Sequence, residues 1–176
     1  MKYNIYLIGF MGTGKSTVSA SLARLFGYEE IDTDIQIASQ QNQSISEIFE
    51  SQGELAFRDM ETKLLQELAG EKHKIISCGG GMAMRKENVA LMQQNGVVVL
   101  LTAKPETILS RVQQDKGRPI LQGNMNVAYI CELLQQRSPF YQDAGEIVVA
   151  TDDRTPEEIA EEIKKNIKFG KICFDF

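Results

Sequence analysis

A glycine-rich segment near the N-terminus constrains the fold of this chain more than any other feature. Residues Gly9–Ser16 read GFMGTGKS and lie between an apolar run, Tyr3–Gly9, and a stretch of helical periodicity, Lys15–Phe26. Glycines let the backbone curl so that successive amides surround phosphate oxygens, and the following helix adds the positive end of its dipole. The sequence therefore predicts a strand, a phosphate-binding loop and a helix in direct succession.

Two side chains of this loop indicate a nucleoside triphosphate and a magnesium ion. Lys15 is placed to neutralise charge on the β- and γ-phosphates, and the Ser16 hydroxyl to ligate magnesium. The competing dinucleotide pattern needs a third glycine or alanine where Thr17 stands. We expect the nucleotide to contact a continuous set of residues. These are Gly12, Thr13, Gly14, Lys15, Ser16 and Thr17.

Strands and helices alternate along the rest of the chain. Apolar runs at Lys74–Cys78, Val97–Leu101 and Glu146–Ala150 predict strands, whereas capping boxes at Ser44–Glu47 and Thr155–Glu158 predict helix starts. Such alternation predicts a three-layer α/β domain with a mainly parallel sheet. Ligands of such sheets bind beyond the carboxyl ends of the strands, so the loops that follow the strands should converge there.

Length, charge and composition limit the classes of protein to consider. The chain has 176 residues, 43% hydrophobic and 24% charged, which suits a single globular domain with one core. A net charge of −5 argues against a long polyanionic partner such as nucleic acid. The chain shows neither an apolar run of membrane-spanning length nor a signal peptide, so we expect a cytoplasmic protein without a membrane partner.

Further polar and glycine residues follow predicted strands. Asp32 and Asp34 are two residues apart, which at a strand end places both carboxylates on one side. One is suited to support magnesium and the other to accept a hydrogen bond from a substrate hydroxyl, with a pair of helix-capping aspartates as the alternative. Gly79, Gly80 and Gly81 permit close approach of the backbone to a ligand. These groups extend the predicted site beyond the nucleotide.

Three arginines are candidates for an anion pocket in the same site. They are Arg58, Arg118 and Arg137. A guanidinium group matches a carboxylate bidentately, which suits a small acidic substrate. Isolated arginines are also common as surface charges, and spacing along the chain does not separate the two interpretations.

The combination of motifs resembles the shikimate kinase family. The shared motifs, in the order of the family, are GFMGTGKST from Gly9, Asp32-Thr-Asp34, Phe57-Arg58 with Glu61, Gly79–Gly81, Arg118-Pro-Ile-Leu and Arg137-Ser-Pro-Phe-Tyr141. The first motif is widespread among kinases, whereas the combination is specific. The resemblance implies one P-loop kinase domain over residues 1–176 with a five-stranded parallel sheet. It also implies a mobile lid over about 113–126 and an acceptor-binding segment over about 33–61, and a short tail, 168–176, follows the last predicted helix.

The resemblance implies an activity and a substrate site. The reaction is transfer of the γ-phosphoryl group of ATP to the 3-hydroxyl of shikimate, a step of aromatic amino-acid biosynthesis. Arg58 and Arg137 would face the carboxylate of shikimate, Asp34 its ring hydroxyls, and the glycines at 79–81 would complete the pocket. The catalytic residues implied are Lys15, Asp34 and Arg118.

The resemblance also implies how the nucleotide and its metal are held. Asp32 would help Ser16 to order magnesium, and Arg118 would move over the phosphates as the lid closes. Two positions would border the adenine, Arg111 and the turn that contains Arg154 and Pro156. The resemblance further suggests a monomer.

Three other interpretations compete with this one. A related small-metabolite kinase, such as one acting on gluconate, shares the loop, lid and size, but the full set of motifs favours shikimate. A catalytically inactive nucleotide-binding module is disfavoured because Lys15, Asp34 and Arg118 are intact. A GTP-dependent switch requires an Asn-Lys-x-Asp segment, which the sequence lacks.

Overall fold

A sheet of five parallel strands forms the centre of the fold. The computed structural model describes residues 4–113 and 126–169. The strands are β1 (Asn4–Ile8), β2 (Glu29–Asp32), β3 (Lys74–Ser77), β4 (Gly96–Thr102) and β5 (Ile147–Ala150). Their order in the sheet is β2-β3-β1-β4-β5, and every neighbouring pair is parallel. The expected α/β class and five-stranded parallel sheet are therefore confirmed.

Helices connect successive strands. In the described residues they are α1 (Lys15–Phe26), α2 (Thr33–Gln41), α3 (Ile45–Leu68), α4 (Lys86–Asn95), α5 (Pro105–Val112), α6 (Val127–Ala144) and α7 (Pro156–Phe169), with a 3-10 turn at Met82–Met84. None of the helices in these two ranges combines the length and the apolar character needed to cross a membrane. Most of the predicted lid, with Arg118, and most of the predicted tail lie outside the described residues.

The sheet has a hydrophobic core on each of its faces. Side chains alternate along β1, so that Ile5 and Leu7 pack with α1 and α7 on one face. Tyr6 and Ile8 pack on the opposite face with side chains from α3, α4, α5 and α6. Both faces of the central strands are covered, which accounts for their continuous apolar sequences. Two buried cores hold the carboxyl ends of the strands in fixed positions.

Three predicted helix boundaries are confirmed. Ser44 and Glu47 form a capping box at the start of α3, and the Glu158 carboxylate accepts from Thr155 N at 2.9 Å before α7. Gly53, the predicted end of a helix, has φ 82° and ψ 169° and interrupts α3 with a non-helical residue. Helical geometry resumes after it. The glycine therefore divides α3 into the two helices that the sequence indicates.

The segment after β2 differs from the prediction. Asp32 ends the strand, and its Oδ1 accepts hydrogen bonds from Asp34 N at 3.1 Å and Ile35 N at 3.3 Å. Asp32 is thus the N-cap of α2, and Asp34 lies in the first turn of that helix. The placement of both carboxylates on one side of an extended strand end was wrong. The cap satisfies backbone amides at the helix start, which makes a turn into α2 more favourable than continued strand.

Candidate active site

One cavity of about 870 Å³ opens where the strands end. All of the sequence-predicted site residues in the described part of the chain line it. Arg118 lies outside the described residues. The cavity joins the loop after β1, the start of α2, the second half of α3, the glycines after β3 and the turn after β5. The predicted convergence of these segments is confirmed.

The loop after β1 is shaped by glycines in conformations that other residues rarely adopt. Gly9 has φ 140°, and a Cβ atom there would lie 2.4 Å from the carbonyl oxygen of Leu101. Gly12 has φ 76°, and a Cβ atom there would lie 2.9 Å from Val112 Cγ1. The loop therefore packs directly on β4 and α5, which fixes its position. It leads into the amino end of α1, where the helix dipole favours an anion.

Lys15 and Ser16 occupy the first turn of α1, next to the loop. Lys15 Nζ donates to the carbonyl oxygens of Gly9 at 2.9 Å and Phe10 at 3.1 Å. Ser16 Oγ donates to Asp32 Oδ2 at 3.3 Å, so a hydroxyl and a carboxylate oxygen lie together at the loop. Both are ligand types that magnesium prefers, and magnesium usually takes its remaining ligands from phosphate and water. Ser16 and Asp32 therefore fit a magnesium ion.

On the other side of the cavity, Arg58 lies between two carboxylates. Its Nη1 donates to Glu61 Oε2 at 2.8 Å, and its Nη2 donates to Glu54 Oε1 at 3.0 Å. Burial alone would lower the pKa of Arg58, but the charges and hydrogen bonds of Glu61 and Glu54 outweigh it and raise that pKa. Arg58 is consequently a fixed, positively charged group with its guanidinium plane held in place.

The glycines after β3 leave room between this arginine and Asp34. A Cβ atom on Gly79 would lie 2.5 Å from Asp34 Oδ1, and one on Gly81 would lie 2.2 Å from Arg58 Nη1. The Tyr141 hydroxyl donates to the carbonyl oxygen of Gly80 at 2.6 Å and so holds the middle of the segment. A carboxylate and a guanidinium group therefore approach the same backbone from two sides, which only glycines permit.

The remaining predicted arginines lie in different surroundings. The guanidinium carbon of Arg137 lies 5.7 Å from the ring centroid of Phe10, beside the loop. Arg111 Nη1 donates to the carbonyl oxygen of Gly12 at 3.2 Å, at the opposite end of the cavity. Arg154 donates to the carbonyl oxygens of Ala150 and Glu158 and pairs with Glu162 at 2.7 Å. Only the first two arginines contact the loop.

Three polar residues that line or support the cavity had no role assigned from the sequence. Glu61 and Tyr141 belong to the quoted motifs, and Thr151 follows β5. Thr151 is 1% exposed, and its hydroxyl donates to the carbonyl oxygen of Thr13 at 3.0 Å. Each of the three acts through a contact with a residue distant in the chain. Spacing along one sequence does not reveal such contacts.

This combination defines a class of protein. A phosphate-binding loop at a helix start, a hydroxyl and a carboxylate placed for magnesium, and a facing pocket with fixed arginines are the parts of a phosphotransferase. The acceptor pocket is small and carries positive groups, which suits a small acidic alcohol. The fold and site are therefore those of a P-loop phosphotransferase that acts on a small molecule.

Comparison with known proteins identifies the family. The family model for shikimate kinase matches residues 11–168. The chain is 38% identical over 167 residues to the shikimate kinase of Dehalococcoides mccartyi strain BAV1, covering 95% of this chain and 94% of the relative. It is 40% identical over 160 residues to that of Caldicellulosiruptor bescii, covering 91% and 92%. The shikimate kinase of Acinetobacter baumannii, solved in complex with shikimate, superposes with a TM-score of 0.91 at 35% identity, covering 98% and 97% of the two chains. This chain belongs to the shikimate kinase family.

Proposed function

We propose that this protein transfers the γ-phosphoryl group of ATP to the 3-hydroxyl of shikimate, giving shikimate 3-phosphate and ADP, in aromatic amino-acid biosynthesis. The observation that carries the proposal is the union, in one cavity, of the phosphate-binding loop with the pocket of Asp34, Arg58 and Arg137. Family membership and the A. baumannii relative solved with shikimate support the choice of acceptor.

The nucleotide is held from the loop outward. Backbone amides of the loop and the amino end of α1 bind the phosphates, and Lys15 neutralises their charge. Arg111 and Pro156 border the adenine, since both line the cavity beyond the loop. Arg154 lines the same end, although its guanidinium group is engaged by α7.

Magnesium is the proposed metal, held through Ser16 and Asp32. When bound, it neutralises negative charge on the phosphate oxygens. In residues 4–113 and 126–169, no group of three histidine, cysteine, aspartate or glutamate side chains could hold a metal. The proposed site therefore depends on the nucleotide for part of its ligand set.

The acceptor is held by charge and oriented by Asp34. Arg58 and Arg137 pair with its carboxylate, and Asp34 accepts a hydrogen bond from the reacting hydroxyl. The hydroxyl oxygen forms a bond to the γ-phosphorus while the bond from that phosphorus to the β,γ-bridging oxygen breaks. The hydroxyl proton passes to Asp34. Arg118, outside the described residues, keeps the role of a phosphate-stabilising residue as a prediction from the family resemblance.

Other properties stay predictions from the sequence alone. They are the cytoplasmic location, the monomeric state and the lack of a nucleic-acid partner. The net charge of −5 favours the last of these.

The first experiment measures ADP release by the purified protein with ATP and magnesium, in the presence of shikimate, of gluconate or of no acceptor. We expect release only with shikimate and phosphorylated shikimate in the mass spectrum. A Lys15→Ala variant purified in parallel controls for contaminating kinases. Release with gluconate would keep the phosphotransferase and overturn the acceptor. A folded protein that binds ATP but shows no acceptor-dependent release would instead favour a nucleotide-binding regulatory module.

A further inference from the structure

We propose that Thr151 is a positioning residue for the phosphate-binding loop, which fixes the direction of a loop amide through the Thr13 carbonyl. The inference rests on the proposed ATP site and adds to it a residue outside the loop. Thr151 follows β5 and is far from the loop in sequence, yet its Oγ1 donates to the carbonyl oxygen of Thr13 at 3.0 Å.

Peptide geometry connects this bond to the phosphates. A trans peptide is planar, and its carbonyl and amide groups point in opposite directions. The carbonyl of Thr13 and the amide of Gly14 belong to one peptide, so a bond that fixes the first also fixes the second. Gly14 is the N-cap of α1, where backbone amides are available to an anion. The Thr151 hydroxyl therefore holds an amide of the phosphate cradle in its orientation.

Thr151 is itself held rigidly. Its side chain is 1% exposed, and its backbone amide donates to the carbonyl oxygen of Thr102 at 2.9 Å. Arg111 adds two hydrogen bonds, from Nη1 to Thr151 Oγ1 at 3.0 Å and from Nη2 to Thr151 O at 2.9 Å. The hydroxyl is consequently fixed by β4 and α5 before it contacts the loop. Such a buried, fully engaged hydroxyl suits the placement of another group better than direct contact with a mobile ligand.

The other contacts of the hydroxyl show where its loss would be felt. Oγ1 also lies 3.2 Å from the carbonyl oxygen of Thr102, but that oxygen already accepts from the Thr151 amide. Arg111 keeps its bonds to the carbonyl oxygens of Gly12 and Thr151. Removal of the hydroxyl therefore leaves β4 and most of the Arg111 contacts intact. The lost bond is the one to Thr13.

The test compares three variants with the wild-type protein. Thr151→Val keeps the shape and removes the hydroxyl, and we expect the KM for ATP and the Kd for ADP to rise roughly tenfold, the size of one buried hydrogen bond. The KM for shikimate should change less than about twofold. Thr151→Ser restores the hydroxyl and should return both nucleotide constants close to wild type. Thr107→Val is the matched control, because its hydroxyl donates to Asp152 in the same region and not to the loop.

Each outcome decides the proposal. Wild-type ADP affinity in a folded Thr151→Val variant would overturn it. Equal losses for ATP and shikimate, with a lowered Tm and no rescue by serine, would show a merely structural role and also overturn it. Calorimetric titration with ADP needs no turnover. If the wild-type protein binds ADP but does not phosphorylate shikimate, the proposed function fails while the ADP affinities still decide the role of Thr151.

Discussion

The Oε2 atom of Glu61 accepts a hydrogen bond from Arg58 Nη1 at 2.8 Å, and the glutamate side chain is completely buried. Its other oxygen, Oε1, has no hydrogen-bond partner among the described residues. Burial is the largest influence on this carboxyl group and raises its pKa from the usual 4.5 to about 7. The charge of Arg58 opposes the shift, whereas that of Asp34 adds to it. Glu61 therefore titrates near neutral pH beside the acceptor site.

This pKa predicts a pH dependence of stability. Between about pH 4.5 and pH 7 the folded protein keeps a proton on Glu61 that the unfolded chain has released. The stabilisation is thus fully present below pH 4.5 and is lost as the pH rises through 7, an effect on the order of 3 kcal/mol. Urea unfolding between pH 4.5 and pH 8 measures it. The free energy of unfolding of Glu61→Gln should fall less over this range than that of the wild-type protein.

Glu54 supplies the matched control for this experiment. It pairs with the same arginine at 3.0 Å, but its side chain is 67% exposed. Glu54→Gln should therefore keep the pH dependence of the wild-type protein. Identical slopes in the wild-type protein and Glu61→Gln would contradict the assignment of this titration to Glu61.

A second prediction concerns Gly81. A Cβ atom there would lie 2.2 Å from Arg58 Nη1, at the end of a flexible side chain rather than against backbone. Gly81→Ala should therefore leave the fold intact but displace the guanidinium group, raising the KM for shikimate roughly tenfold with little change in the KM for ATP. Steady-state kinetics with each substrate varied separately measures both constants.

Gly70 offers a control of the same chemical size. A Cβ atom there meets nothing within 4 Å. Gly70→Ala should leave both Michaelis constants unchanged. A Gly81→Ala variant that binds shikimate as well as the wild-type protein would show that Arg58 need not occupy its present position.

A third prediction separates acceptor chemistry from nucleotide binding. Asp34 lines the cavity on α2, apart from the loop residues that bind the phosphates. Asp34→Asn keeps the shape but removes the charge that accepts the hydroxyl proton, so turnover should fall at least about a hundredfold. The Kd for ADP should stay within about twofold. Turnover close to wild type would remove Asp34 from the catalytic residues.

Much of the nucleotide side could be predicted because its information is local. The order of glycines, Lys15 and Ser16 after a strand specifies the loop without reference to the rest of the chain. The strand pattern likewise predicted that several segments meet at one sheet edge. By contrast, the start of α2 depends on whether Asp32 continues the strand or caps a helix. Both states place two carboxylates near the loop, and residue spacing does not distinguish them.

The remaining features depend on contacts between distant residues. The pKa of Glu61 arises from burial among α3, α2 and the glycines after β3, which no local pattern specifies. The bond from Thr151 to Thr13 joins residues 138 positions apart. Such contacts exist only after the sheet has brought the strand ends together. They are therefore properties of the fold, and a single sequence shows only that polar residues are available.

A fourth prediction tests whether Asp32 acts as a metal ligand as well as a helix cap. Its Oδ1 caps α2, while its Oδ2 accepts from Ser16. Asparagine is as good an N-cap as aspartate but a poorer magnesium ligand, whereas alanine provides neither function. Asp32→Asn should raise the magnesium concentration needed for half-maximal turnover roughly tenfold, with a change in unfolding free energy below about 0.5 kcal/mol.

Asp32→Ala should show the same magnesium requirement together with a loss of about 1 kcal/mol in unfolding free energy, because it also removes the cap. Magnesium titrations at saturating ATP and shikimate, paired with urea unfolding, measure the two effects independently. If both variants keep the magnesium requirement of the wild-type protein, Asp32 serves only the helix. If asparagine alters the requirement and spares the stability, the two carboxylate oxygens have separate roles, one structural and one at the metal.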